Sequence, residues 1–199
     1  RSGFMADAPA ITQITHDAGA LIVWDLSHSV GSVPVELDAW NVDIAVGCSY
    51  KYLCGGPGAP AWAYVRKDLQ TQIEQPIQGW WGTKNMFMMG PGYDPESDLR
   101  RFITGTAPVV SMQAMIDPVE LIGSVTMEAI RAKSLLLTQF VIDYADTELA
   151  ELGVTVATPR EAERRGGHVT LNHPHMREVN ALLWKEDIIP DYRDPHGLR

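Results

Sequence analysis

Ala20-Leu21-Ile22-Val23-Trp24-Asp25 is the stretch on which the fold turns. An unbroken apolar run ending in an acid reads as a parallel strand covered on both faces, with a polar residue emerging at its carboxyl end. Upstream, residues 7–19 read as an amphipathic helix with Ala10, Ile11, Ile14 and Ala18 on its apolar side, ended by Gly19. Downstream, residues 44–47 form a second apolar strand. Residues 61–65 form a third, after a Gly/Pro turn at 55–58. A helix followed by successive buried strands indicates the α/β class. The connection before the third strand is too short for a helical crossover, which predicts that this strand runs antiparallel.

Residues 79–106 are rich in Gly, Pro, Trp and Met without a regular period, so they read as a long ordered loop region of the kind that carries binding groups. Residues 111–122 read as a helix kinked or broken by Pro118. Residues 127–152 give the clearest helix, with a stripe of Ile130, Leu137, Val141, Tyr144 and Leu149 and a stop at Gly153. Strands are then expected over 154–158 and 168–171, a helix over 177–185 and an extended segment over 188–192. The predicted organisation is a large α/β domain over 1–126, a linking helix over 127–153 and part of a small α+β domain over 154–199.

Composition narrows the function. Sixteen Lys and Arg against 25 Asp and Glu give a formal charge of -9, which argues against a nucleic-acid or acidic-membrane surface. No apolar run is long enough to span a bilayer, and the first residues lack a signal-peptide layout. Cys48 and Cys54 have no companion cluster at metal-ligand spacing, and a reduced cytosolic protein is expected. Arg1-Ser2-Gly3-Phe4 reads as the end of a strand or loop, and the chain stops just after a turn at 194–197. The expectation is a piece of a longer protein.

Four features sit where an α/β sheet collects ligands. Asp25 could pair with a protonated ring nitrogen, or be a solvated strand-end acid or helix cap. His28, three residues on, could lie against the same ring or be structural. Lys51 follows the second strand closely. In a cleft its amine would be a nucleophile toward a carbonyl; in isolation it is a surface lysine snorkelling over Tyr50 or Tyr52. Tyr50 could reach a phosphate or donate a proton, or pack as an aromatic. Gly55-Gly56-Pro57-Gly58 suits either an anion or a tight turn. Trp80 and Thr106 could hold phosphate oxygens, in this subunit or across a subunit interface, although Trp80 alone reads equally as packing. Arg199 could fork a carboxylate.

In order and spacing, these strings resemble the kynureninase family of fold-type-I pyridoxal-phosphate enzymes. The resemblance runs through Trp24-Asp25-Leu26-Ser27-His28-Ser29-Val30-Gly31, Gly47-Cys48-Ser49-Tyr50-Lys51-Tyr52-Leu53, Gly55-Gly56-Pro57-Gly58 and Gly79-Trp80-Trp81-Gly82. It continues in Phe102-Ile103-Thr104-Gly105-Thr106-Ala107-Pro108, Thr158-Pro159-Arg160, Arg165-Gly166-Gly167-His168-Val169 and Asp191-Tyr192-Arg193-Asp194-Pro195, and so covers almost the whole chain. It implies a fragment of a fold-type-I large domain with a mainly parallel sheet, plus part of a smaller α+β domain.

It also implies pyridoxal 5′-phosphate as cofactor. Asp25 would bond its ring nitrogen, His28 would line its ring, and Lys51 would be the Schiff-base lysine and α-proton base. Tyr50 would be a phosphate contact and later proton donor. Trp80 and Thr106 would be phosphate ligands from the neighbouring subunit of a homodimer, and Arg199 would clamp the substrate carboxylate. The implied reaction is hydrolysis of L-kynurenine, or its 3-hydroxy derivative, to an anthranilate and L-alanine. The family also has a ring-stacking aromatic and further phosphate ligands in an N-terminal part that this chain lacks. Rival readings are a cysteine desulfurase or aminotransferase of the same fold, and an inactive fragment with a structural role. The desulfurase pattern puts Gln in place of His28 and His directly before the lysine, unlike Tyr50 here.

Overall fold

The computed structural model describes residues 1–88 and 90–199. The chain divides into two units, one of residues 8–30 and 35–124, the other of 1–7, 31–34 and 125–199.

The first unit opens with α1 (Ala8–Asp17). β1 (Val23–Asp25), β2 (Ile44–Cys48) and β3 (Ala61–Val65) form a sheet in that order. β1 and β2 are parallel, with Asp25 opposite Val46. β3 is antiparallel to β2, as its short connection requires. Leu26, Val42 and Ala45 form the buried core, with Trp24, Val30, Trp40, Trp62 and Tyr64 packed around it. The sheet alternates. Trp24, Ala45 and Tyr64 share the covered face, whereas Val23 and Val46 are exposed on the other. The expectation of a strand covered on both faces is therefore corrected: unbroken hydrophobicity does not report which side finds cover within the chain.

The face of α1 is corrected too. Ile11 and Ile14 point outward, and Thr12 is buried. Polar contacts set this rotation: Trp24 Nε1 donates to Thr12 Oγ1 at 3.0 Å, and His16 Nε2 lies 2.8 Å from Asp43 Oδ2. Asp43, wholly buried, also accepts from the Ile22 amide at 2.8 Å. Arg66 Nη1 sits 2.7 Å from its Oδ1, a charge contact set off the hydrogen-bond direction. One carboxylate thus ties together α1, the approach to β1, the start of β2 and the residue after β3.

The unit ends in α2 (Val109–Gln113) and α3 (Ile116–Val125). The break falls at residues 114–115 rather than at Pro118, which lies in the first turn of α3, where its missing N–H costs no helical hydrogen bond.

In the second unit, α4 (Met127–Tyr144) starts at the Thr126 cap, whose side chain accepts from the Ala129 amide. It continues through a π-helical turn, Ala145–Leu149, and a 3-10 turn to Gly153 at φ +82°. Its buried face carries Thr138, Ile142 and Ala145, not the predicted Leu137, Val141 and Tyr144, which are exposed. The reason is again polar: buried Arg165 donates from Nε to Thr138 Oγ1 at 3.1 Å and from Nη2 to Gln139 Oε1 at 3.0 Å.

Beyond it, β4 (Thr155–Val156), β5 (Leu171–Asn172), α5 (Met176–Lys185), β6 (Tyr192–Arg193) and β7 (Gly197–Leu198) complete the unit. The strands form an antiparallel sheet in the order β4-β5-β7-β6. The turn at 194–197 closes the β6–β7 hairpin and contains the cis Asp194–Pro195 bond. The final strand was not expected.

Candidate active site

β1 and β2 run parallel and end side by side, so Asp25 at the end of β1 and Lys51, three residues past β2, leave the same edge of the sheet. That is where open α/β sheets collect their ligands. The carboxyl of Asp25 is held below its ordinary range, first by the Ser27 side chain and then by the Ser27 amide, which donates to Oδ1 at 2.9 Å. Burial opposes this, and the charges of Lys51 and His28 add to the lowering. His28 and Lys51 are thus each within electrostatic reach of Asp25.

The lysine loop is held firmly. Ser49 is buried and its hydroxyl donates to the Pro60 carbonyl. The Gly55 amide donates to Ser49 O at 3.0 Å, and the Cys54 amide to Lys51 O at 2.8 Å. Lys51 is half-buried, its Nζ 5.3 Å from the centre of the Tyr50 ring. Tyr50 itself is exposed. A lysine over an aromatic face keeps its charge favourably placed without a carboxylate partner.

The glycine string next to it is explained by geometry alone. A Cβ on Gly55 would collide with Met115 Sδ, and Gly56 and Gly58 have φ of +71° and +87°. Its residues are needed for close packing and the turn, the plainer of the two readings.

Trp80 and Thr106 lie on the loop region of the same unit. Trp80 meets Trp81 edge-on, ring centres 5.5 Å apart, and tilts against Phe87 at 6.4 Å. It remains 45% exposed, so its packing leaves much of the indole available. Thr106 is exposed just before α2. Gly79 fixes this loop: a Cβ there would overlap the backbone of Thr104. Gly79→Ala is therefore expected to force the two segments apart and lower stability by about 1–3 kcal/mol, read as a drop in thermal midpoint. Nearby, Trp81 Nε1, Tyr93 Oη and Arg101 Nε are buried without a hydrogen-bond partner among the described residues.

Arg199 belongs to the other unit. Its backbone pairs with Asp191, amide to carbonyl in both directions at 2.9 and 3.1 Å, and its Nε donates to Asp191 Oδ2 at 2.6 Å. Burial pushes the Asp191 carboxyl up, but Arg199 and Arg193 outweigh it and hold the group below its usual range.

Residues 130–199 match the family model described as the kynureninase C-terminal domain. Over all 199 residues the chain is 43% identical to a kynureninase of Burkholderia mallei and covers 48% of it. The chain is similar to these kynureninases over all 199 of its residues. A kynureninase of Pseudomonas fluorescens is 39% identical over the same 199 residues, again with 48% of it covered. The chain thus spans about half the length of these kynureninases. Among solved structures, a cysteine desulfurase of Escherichia coli superposes with a TM-score of 0.77 over 95% of this chain and 45% of its own. At 14% identity it is the fold that is shared. The architecture is the α/β fold of that class, represented by about half of its length.

Beside the candidate site residues, two serines escaped the sequence reading. Ser27 stands beside the candidate cofactor residues Asp25 and His28, Ser49 beside the candidate catalytic residue Tyr50, and both lie inside quoted strings. Only their hydrogen bonds distinguish them from ordinary loop serines. No group of three or more His, Cys, Asp or Glu able to hold a metal ion occurs among the described residues. Nor is any described helix long and apolar enough to cross a membrane.

Proposed function

We propose that the protein binds pyridoxal 5′-phosphate and acts as a kynureninase, hydrolysing the Cβ–Cγ bond of L-kynurenine or 3-hydroxy-L-kynurenine. The observation that carries this reading is Asp25 and Lys51 set at the ends of two neighbouring parallel strands, with the carboxyl of Asp25 held below its ordinary range. The donor set suits that cofactor: an ionised carboxylate for a protonated ring nitrogen, an amine for a carbonyl carbon and an imidazole, His28, to line the ring. When bound, the cofactor supplies an electron sink for a carbanion at the substrate α carbon.

The chain's residues then have these tasks. Asp25 keeps a proton on the ring nitrogen. Lys51 holds the cofactor before substrate arrives and afterwards takes the α proton. Tyr50 contacts the phosphate and returns a proton to the substrate β carbon. Trp80 and Thr106 serve the phosphate of a neighbouring subunit in a homodimer. Arg199 takes the substrate carboxylate; because Asp191 occupies its Nε, the two terminal nitrogens are the fork it offers. Water adds to the aryl ketone, and the Cβ–Cγ bond breaks to give an anthranilate and L-alanine. The partner is thus a small molecule, and the reading places the enzyme in the cytoplasm.

The test is a direct assay with added pyridoxal 5′-phosphate. Anthranilate fluorescence and L-alanine should appear in equal amounts from L-kynurenine. Sulfide release from L-cysteine without anthranilate would instead assign the protein to the desulfurases. A protein that binds the cofactor but makes neither product would overturn the kynureninase assignment.

A further inference from the structure

We propose that Ser49 is a positioning residue for Lys51: its hydroxyl fixes how the lysine loop leaves β2, and so where the amine stands relative to Asp25. This rests on the pyridoxal-phosphate reading above, in which the Lys51 amine meets a carbonyl carbon while Asp25 meets the ring nitrogen of the same ligand.

The observation is how the β2–β3 ladder ends. The strands pair from Ile44 with Val65 to Cys48 with Ala61, so the next opposite residues are Ser49 and Pro60. Every second pair of an antiparallel ladder exchanges amide-to-carbonyl bonds. The Arg66 amide donates to Asp43 O at 2.8 Å, and steps of two from that pair bring 49 and 60 into the same class. Pro60 has no N–H to give, so the exchange cannot be completed from its side. Ser49 O accepts instead from the Gly55 amide at 3.0 Å, which closes the loop around Lys51. The Pro60 carbonyl accepts from the Ser49 hydroxyl. A side chain thus joins the two strands where the backbone ladder stops, two residues before Lys51.

The other bonds of the loop do not reach the sheet. Gly55 to Ser49 O, and the Cys54 amide to Lys51 O at 2.8 Å, both lie within residues 49–55 and set the shape of the loop. The Ser49 hydroxyl ties that shape to the residue before β3. Ser49 is 4% exposed, so its bond is shielded from competing water. The contact is made by the side chain, and Ser49→Ala removes it while leaving the two backbone bonds in place.

The experiment uses the full-length protein and compares Ser49→Ala and Ser49→Thr with the wild type. Without cofactor, hydrogen exchange at the Gly55 amide should be about three- to tenfold faster in Ser49→Ala, the equivalent of one lost hydrogen bond. Absorbance then follows attachment of added pyridoxal 5′-phosphate to Lys51, which should slow about tenfold because the nucleophile is no longer held in place. Ser49→Thr, which keeps the hydroxyl, should recover most of both losses. A merely structural role would lower the thermal midpoint without slowing attachment at temperatures where the protein is fully folded. Unchanged attachment in folded Ser49→Ala, or an equal loss in Ser49→Ala and Ser49→Thr, would overturn the inference. Should Ser49→Ala not fold, Ser49→Cys, of similar shape but with a feeble donor, takes its place in the same comparison. If the wild type attaches no cofactor, the functional reading fails, yet the Gly55 exchange still decides whether the hydroxyl holds the loop.

Discussion

Lys51→Ala is expected to cut anthranilate release from L-kynurenine at least about a thousandfold, since in the proposed function it removes both the covalent anchor and the α-proton base. The thermal midpoint should hardly move. The lysine side chain is only half-buried, and the loop around it is held by backbone bonds and by Ser49, all of which survive the change. Lys51→Arg is the sharper control. It keeps a positive charge near Asp25, so the electrostatic part of the site persists, but a guanidinium stays protonated and cannot serve as nucleophile or base. Both variants should therefore be equally inactive in a fluorescence assay. If the Lys51→Arg enzyme retained a substantial share of the activity, the chemistry would have to lie elsewhere than this residue. Borohydride reduction of the wild type with cofactor, followed by peptide mass analysis, should label the peptide carrying Lys51 and none other.

Asp43→Ala should produce the largest loss of stability in the first unit, about 3 kcal/mol, the lower end for breaking a buried ion pair. The lower end is appropriate because the partners left behind, His16 and Arg66, are 21% and 25% exposed and can regain water. Denaturant unfolding of both proteins would read the difference. The pH dependence has a definite sign. Burial pushes the Asp43 carboxyl up, but the Ile22 amide, His16 and Arg66 together hold it below its usual value. Its stabilising contribution is complete above the ordinary carboxylate range, near about pH 4. It disappears as the pH falls through the depressed folded value, because protonation then favours the unfolded chain. The stability gap between wild type and Asp43→Asn should therefore be constant near neutrality and close in acid. Other carboxylates titrate there as well, which is why the difference between the two proteins is the quantity to measure.

Much of the candidate site was legible in the residue order. The Asp25 strand end, the Lys51 loop and the antiparallel third strand all follow from apolar runs, connection length and punctuation by Gly and Pro. These are local properties, and the chain carries them wherever it folds. The roles proposed for Trp80, Thr106 and Arg199 come from the family resemblance, because nothing in their local sequence separates a ligand from a packing residue.

The faces of the helices were decided by the tertiary structure. In α1 and α4 the apolar stripe is visible in the sequence, yet the buried side carries Thr12 and His16 in one and Thr138 in the other. A periodic stripe fixes only the spacing of side chains. The rotation of each helix is set by a few long-range polar bonds, from Trp24 and Asp43 to α1 and from Arg165 to α4. Such partners lie 12 to 27 residues away in the chain, beyond any helical period, so the sequence alone establishes that a stripe exists and the folded structure determines which side of the helix is buried.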